Sequence, residues 1–211
     1  MKLYDDYNLD TYTTDDYEPQ VFDRLTNGDK LDLLVTNFER DEKGELVFKD
    51  NLHSNWKEVY HFVDKLKVNS VYECGCGSGQ HLINLRKLNA KILLEGCDYS
   101  QSQIDLGFKY LNLSEYDIHD KIYVMDMTKD IPDTIGKFDF VFTQAVTMHL
   151  QHEKALKFLK NMGKLSGNYI LLIENVTKHN YPELLKEALP EFEIVFDNKY
   201  VPTSFLLKRK S

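Results

Sequence analysis

Apolar residues recur along this chain in two rhythms. Short apolar runs at strand length fall at 68–74, 91–97, 121–125, 138–144 and 169–173. Between them, apolar residues return every three or four positions over 82–88, 101–111, 154–165 and 182–189, the spacing of a helix with one buried face. Ser100 stands where the second of these helices needs an N-cap, and Pro182 stands at the start of the last. Strand and helix therefore alternate from about residue 68 to 190, which predicts an α/β fold around a parallel sheet. Two further apolar runs, 192–196 and 204–208, flank Asn198-Lys199-Tyr200-Val201-Pro202 and read as an antiparallel pair.

The first third of the chain has a different texture. Residues 1–20 are acidic and rich in tyrosine (Tyr4, Tyr7, Tyr12, Tyr17), an irregular segment or a lid. Residues 21–38 carry helical spacing broken at Asn27-Gly28-Asp29, which predicts two short helices. Asp41-Glu42-Lys43-Gly44 is a turn. Ser54 is placed to N-cap a helix through Leu66 whose apolar face holds Val59, Phe62, Val63 and Leu66. The expected organisation is an N-terminal helical cap over 1–67 and an α/β core over 68–211.

The chemistry concentrates after the first core strand, at Glu73-Cys74-Gly75-Cys76-Gly77-Ser78-Gly79. Glycine has no Cβ, so such a turn bends sharply and brings backbone against a ligand, while the next helix points free N–H groups at the same place. A dinucleotide fingerprint would need glycine where Gln80 stands, and no Gly-Lys-Ser/Thr follows for a phosphate loop. Asp98 ends the second strand about twenty residues on, where a carboxylate reaches ribose hydroxyls in nucleotide-binding folds. The third strand ends at Asp126-Met127. The fourth begins Phe138-Asp139-Phe140-Val141 and leads through Gln144 to His149-Leu150.

These four strings, in this order, resemble the motifs of class I S-adenosylmethionine (SAM)-dependent methyltransferases over residues 68–211. The resemblance implies a Rossmann-like, seven-stranded, mostly parallel sheet closed by a terminal antiparallel hairpin. It implies SAM as cofactor and S-adenosylhomocysteine as product. Glu73 would hold the methionine ammonium, with Gly75, Gly77 and Gly79 forming the turn. Asp98, with Tyr99 beside it, would take the ribose. Asp126 and Met127 would meet the adenine. Gln144 would touch the methionine part or the acceptor.

Methyl transfer to a hydroxyl gains from a general base, and histidine titrates in the right range. His149 lies just after the fourth strand, on the acceptor side, either as that base or as a residue tying its loop to backbone. His179 is a second acceptor-side position. His81 is expected to face solvent, His53, His61, His119 and His152 to lie on the surface, and Trp56 to belong to the core. The Glu-x-x-Glu-His string of a metal-dependent relative lacks both carboxylates at 145–149, so no metal is expected. The Asn/Asp-Pro-Pro-Tyr string of DNA amino-methylating enzymes is also absent at 143–146.

Composition narrows the partners. A formal net charge of −8 argues against a nucleic-acid acceptor, and the one basic cluster, Lys208-Arg209-Lys210, reads as a solvated strand end. No apolar run nears the roughly 20 residues that span a bilayer, so no membrane partner and a cytoplasmic location are expected. Three cysteines make no disulfide framework; Cys74 and Cys76 read as small buried filler. The strings 142–150 and 168–175 resemble small bacterial methyltransferases of surface-polysaccharide clusters, including pseudaminic-acid-associated methylases and capsular phosphoramidate O-methyltransferases. That resemblance implies O-methylation of a small, nucleotide-linked glycan precursor or its phosphoramidate. Small-molecule N- or O-methylation in other metabolism, and a catalytically idle SAM-binding subunit, stay open. Before the tail, Arg24, Arg40 and Arg86 are the only arginines available to an anionic acceptor.

Overall fold

The structure, a computed structural model, describes residues 38–48, 52–111, 113–118, 121–195 and 198–211. The helices expected within 21–37, the tyrosine-rich segment 1–20, Arg24 and His119 lie outside the described residues. The described chain opens with a small hairpin, β1 (Glu39–Arg40) against β2 (Leu46–Val47). Its turn is fastened by Asp41, whose Oδ1 accepts the N–H groups of Lys43 and Glu45 at 2.9 Å each. Helix α1 (Ser54–Leu66) follows. Its N-cap is His53 rather than Ser54: the His53 Nδ1 accepts from Asn55 N at 3.2 Å.

The core then alternates as its apolar rhythm predicts. β3 (Ser70–Cys74) leads to α2 (Gln80–Leu88), β4 (Leu93–Asp98) to α3 (Gln101–Tyr110), and a short 3-10 turn (Leu113–Tyr116) precedes β5 (Ile122–Val124). Ser100 caps α3 as expected, its Oγ accepting from Gln103 N at 3.3 Å. The chain returns to the middle of the sheet as β6 (Phe138–Gln144), makes a 3-10 turn (Thr147–His149), and continues as α4 (His152–Leu165), β7 (Ser166–Ile173) and α5 (Tyr181–Ala188). β8 (Phe192–Val195) and β9 (Phe205–Arg209) close it. The seven strands lie in the order β5-β4-β3-β6-β7-β9-β8, and β9 is the one strand running against its neighbours.

The side-chain alternation of the strands divides the core in two. Val71, Phe140, Phe142 and Leu171 face α1, α2 and α3. Tyr72, Val141, Ile170 and Leu172 face α4 and α5. Helix α1 thus packs on the sheet itself: Val59, Phe62 and Val63 join the same cluster as Val71 and Phe140. The chain leaves β3 toward one face and β6 toward the other, so the two neighbours part at their carboxyl ends. Open α/β sheets bind ligands at such a crevice.

Two fastenings hold the far edge. Glu58, fully buried on α1, accepts N–H groups from Lys199 and Tyr200 and the hydroxyl of Ser204, which pins the β8–β9 loop to the helix. Arg209 is not a solvated strand end. Its guanidinium donates to the carbonyls of Gly163, Ser166 and Gly167 and lies over the Phe192 ring. Arginine's rigid fork suits this bridging of several oxygens at once.

The closest helix approach is α3 against the glycine turn. A Cβ on Gly107 would stand 2.2 Å from the Ser78 carbonyl oxygen, which is backbone and cannot swing aside. Gly107→Ala should therefore push α3 off the turn and cost about 1–3 kcal/mol. Urea unfolding measures this; an unchanged midpoint would mean that α3 retreats freely.

Candidate active site

The turn after β3 is built by left-handed backbone: Gly75, Gly77 and Gly79 have φ of +79°, +53° and +81°. Gly75 N and Cys76 N both donate to the Cys97 carbonyl, at 2.8 and 2.9 Å, which ties the turn to the end of β4. Asp98 finishes the tie. Its Oδ2 accepts Gly77 N at 2.8 Å and its Oδ1 accepts Ser100 N at 2.8 Å. Burial nevertheless outweighs these N–H donors and raises the Asp98 carboxyl above its usual value. Cys74, Cys76 and Cys97 are free and buried around the turn, and burial raises the thiols of Cys74 and Cys76.

A cavity of about 520 Å³ opens beside this turn, at the carboxyl ends of β3, β4, β5 and β6. Of the residues singled out from sequence, Gly75, Gly77, Asp98, Tyr99, Asp126, Met127, Gln144 and His149 line it. Two do not. Gly79 begins α2, and a Cβ there would meet Ile122 at 2.7 Å, so the glycine serves the packing of that helix. Glu73 lies beneath the turn in β3, 2% exposed, with Oε2 buried and no hydrogen-bond partner among the described residues. Burial, then the nearby Asp98 and Cys97, drive its carboxyl well up, so an unaided charge there is costly. Asp126 is the opposite case. Burial raises it, but the hydroxyl and N–H of Thr128 and the Lys129 ammonium outweigh that and hold it below its ordinary value.

His149 comes to the cavity on the 3-10 turn, and that turn hangs from a residue the sequence reading passed over. Glu174, just past β7, receives Val146 N and Thr147 N at Oε1 and Met148 N at Oε2, all at 3.1 Å. His179 Nε2 meets the Thr147 carbonyl at 3.0 Å, and Tyr181 meets the Thr147 hydroxyl at 3.0 Å. His179 is thus a strut of the loop and does not line the cavity. Burial, then Lys178, lower the His149 pKa below the ordinary 6.5, so its ring is neutral and able to take a proton at pH 7. The available signal for Glu174 was an acid ending an apolar run, too common to single out.

His81 overturns an expectation. It is 7% exposed instead of facing solvent, walled by Trp56 and Phe142 and bonded through Nδ1 to the Tyr60 hydroxyl at 3.0 Å. Burial takes its pKa down to about 4, against a smaller opposing effect of the Gln144 side chain. The arginines considered for an anionic acceptor are otherwise engaged. Arg40 pairs with Asp64, and Arg86 donates to the carbonyls of Tyr116, Ala90 and Ile92. Lys154 lines the cavity in their place; Lys129 lines it too, with its ammonium paired to Asp126 at 3.3 Å.

Comparison with known proteins agrees with this geometry. Residues 71–166 match the family model of a methyltransferase domain. An uncharacterized protein of Rickettsia prowazekii is 28% identical over 100 residues, which is 47% of this chain and 39% of that one. The matched stretch thus spans well under half of that relative's length. The magnesium protoporphyrin IX methyltransferase of Synechocystis, solved with bound SAM, superposes with a TM-score of 0.57 at 14% identity, over 92% of this chain and 96% of that chain. The O-methyltransferase of a trans-AT polyketide synthase multienzyme of Brevibacillus brevis, solved with S-adenosylhomocysteine, gives a TM-score of 0.51 at 21% identity, covering 65% and 51%. The matched stretch is that of a methyltransferase domain, and it lies within a Rossmann-like fold of the kind these SAM-binding structures share. Among the described residues, no helix is long and apolar enough to cross a membrane.

Glu174 gives the site a measurable signature. Burial raises its pKa to about 7 against the pull of the three N–H groups. The folded value exceeds the unfolded one, so the contribution is complete below the unfolded value of 4.5 and is lost as pH rises through about 7. The stability of the wild type relative to Glu174→Gln should therefore fall from pH 4.5 to pH 8, by about 3 kcal/mol at 1.36 kcal/mol per unit. Urea midpoints across that range test it. A constant difference would show that Glu174 keeps its charge throughout.

Proposed function

We propose that this chain binds SAM in the cavity beside the glycine turn and methylates an oxygen of a small, anionic acceptor. The finer reading is a nucleotide-linked surface-glycan precursor, either a sugar or a phosphoramidate. The observation that carries the first part is the convergence of Gly75, Asp98, Asp126, Gln144 and His149 on one cavity, with an unsatisfied Glu73 carboxylate beneath its floor. The residues suit SAM. A buried carboxylate without a donor calls for a cation, and a methionine ammonium is one. Asp98 stands where a ribose diol would be held and keeps lone pairs beyond the two N–H bonds it accepts. When bound, SAM supplies a sulfonium methyl for in-line displacement.

The chain's own part is placement, water exclusion and proton removal. Neutral His149 accepts the acceptor hydroxyl's proton, and Glu174 holds the turn that aims it. Lys154 gives the cavity positive charge for a phosphate or phosphoramidate, there being no arginine among the described lining residues, while the Lys129 ammonium is paired with Asp126. The strings 142–150 and 168–175, similar to surface-polysaccharide methyltransferases, favour a glycan precursor over other small molecules.

Incubation with deuteriomethyl-SAM and a panel of cytidine- and guanosine-diphosphate-linked precursors, read by mass spectrometry, should yield a labelled O-methyl product. Labelled product from other small molecules alone would displace the glycan reading. Asp98→Ala should weaken SAM binding at least tenfold, from the lost buried contact, as calorimetry would show. His149→Ala should lower turnover far more than SAM affinity. It should also abolish an acidic limb in the pH–rate profile that lies below pH 6.5 in the wild type.

A further inference from the structure

A second cavity, of about 510 Å³, shares no residue with the first. Three elements wall it: the β1–β2 turn, the last two turns of α1, and the loop between β8 and β9. Each wall is fastened to the other two. Arg40 of the hairpin grips Asp64 of α1 with two hydrogen bonds, at 2.7 and 3.2 Å. Glu58 of α1 accepts the N–H groups of Lys199 and Tyr200 in the loop, at 3.2 and 2.7 Å. Phe48, beside the hairpin, meets the Tyr200 ring edge-on with centroids 5.4 Å apart. The cavity is therefore held open by the fold itself.

Its lining is cationic on an acidic chain. Lys43, Lys65, Lys67 and Lys199 line it against Asp64 and Glu45, an excess of two positive charges where the chain as a whole carries −8. Asp64 is already neutralised, by Arg40 and by Lys67 at 3.0 Å. Like charges gathered in one concavity repel, so stability alone does not ask for four ammonium groups there. Lys67 adds a second cost. It ends α1 in left-handed backbone, at φ +51°, a position that suits glycine or asparagine. A side chain kept in strained backbone points to what that side chain does.

Asn198 supplies the complementary signal. Its Nδ2 donates to the carbonyls of Ser204 at 2.7 Å and Pro202 at 3.3 Å, which turns Oδ1 the other way. That oxygen is buried and has no partner among the described residues, and Asn198 lines the cavity. A buried acceptor calls for a donor. Glu45 is a further acceptor in the lining, and it would repel a bare polyphosphate. The ligand that meets every demand carries a phosphate for the ammonium groups and hydroxyl donors for Asn198 and Glu45. Small-molecule pockets run to roughly 300–1,000 Å³, so the space suits more than a lone phosphate.

We propose that this second cavity binds a phosphorylated sugar, with the phosphate among the four lysines and a sugar hydroxyl donating to Asn198 Oδ1. The site is separate from the cavity beside the glycine turn and stands whether or not that cavity takes SAM.

Ribose 5-phosphate is the probe, with inorganic phosphate and ribose as its two halves, followed by amide NMR of the full chain. Ribose 5-phosphate should shift the amides of Lys43, Gly44, Glu45 and Lys199 and leave those of Gly75 and Gly77 in place. It should bind about tenfold more tightly than either half, because each half forfeits hydrogen bonds that the whole makes. Lys43→Glu combined with Lys65→Glu, both at exposed positions, should weaken it about tenfold with no change in the urea midpoint. Cavity amides unmoved at about 10 mM probe, or shifts confined to the glycine turn, overturn the proposal. So do inorganic phosphate binding as tightly as the sugar phosphate, and an unchanged affinity in the charge-reversed variant.

Discussion

A Cβ atom on Gly75 would stand 2.4 Å from Val146 Cγ2, a separation that real side chains do not tolerate. The turn after β3 and the loop after β6 therefore meet backbone against side chain, and the cavity is what lies beside that contact. Each partner is held from behind. Cys97 and Asp98 hold the turn through three of its N–H groups. Glu174 holds the loop through three more. Neither support touches the other, yet together they fix where Gln144 and His149 stand relative to Asp98. The geometry of the site is thus a consequence of backbone hydrogen bonds satisfied by residues at the ends of two strands, β4 and β7.

Much of this was legible in the sequence because it is local. Apolar runs of strand length and apolar residues at helical spacing located every core strand and helix, and the glycines announced a sharp turn. The Asp98 position followed from chain distance alone. What was not legible depends on partners remote in sequence. Glu174 acquires its role from amides 26–28 residues earlier. His81 follows the glycine turn, and the burial of its ring is decided by Trp56 and Tyr60, which arrive from α1. Arg209 looked solvated because its three carbonyl partners lie 42–46 residues upstream. In each case a polar side chain is buried because it serves several backbone or side-chain groups at once, a fact that composition and spacing do not carry.

Three buried glutamates show where the chain has been left incomplete. Burial raises the pKa of all three, so each carboxylate must be compensated to remain charged. Glu58 is compensated by two amides and a hydroxyl, and Glu174 by three amides. Both are internal fastenings, one at the edge of the sheet and one under the loop after β6. Glu73 has the same burial, but its Oε2 has no donor among the described residues. An uncompensated carboxylate in the core costs more than a methyl-bearing replacement would, so its presence is not explained by stability. Its position under the glycine turn, beneath the cavity, is explained if the missing cation belongs to the ligand. The residue that makes the fold weakest by this measure is then the one that makes it selective.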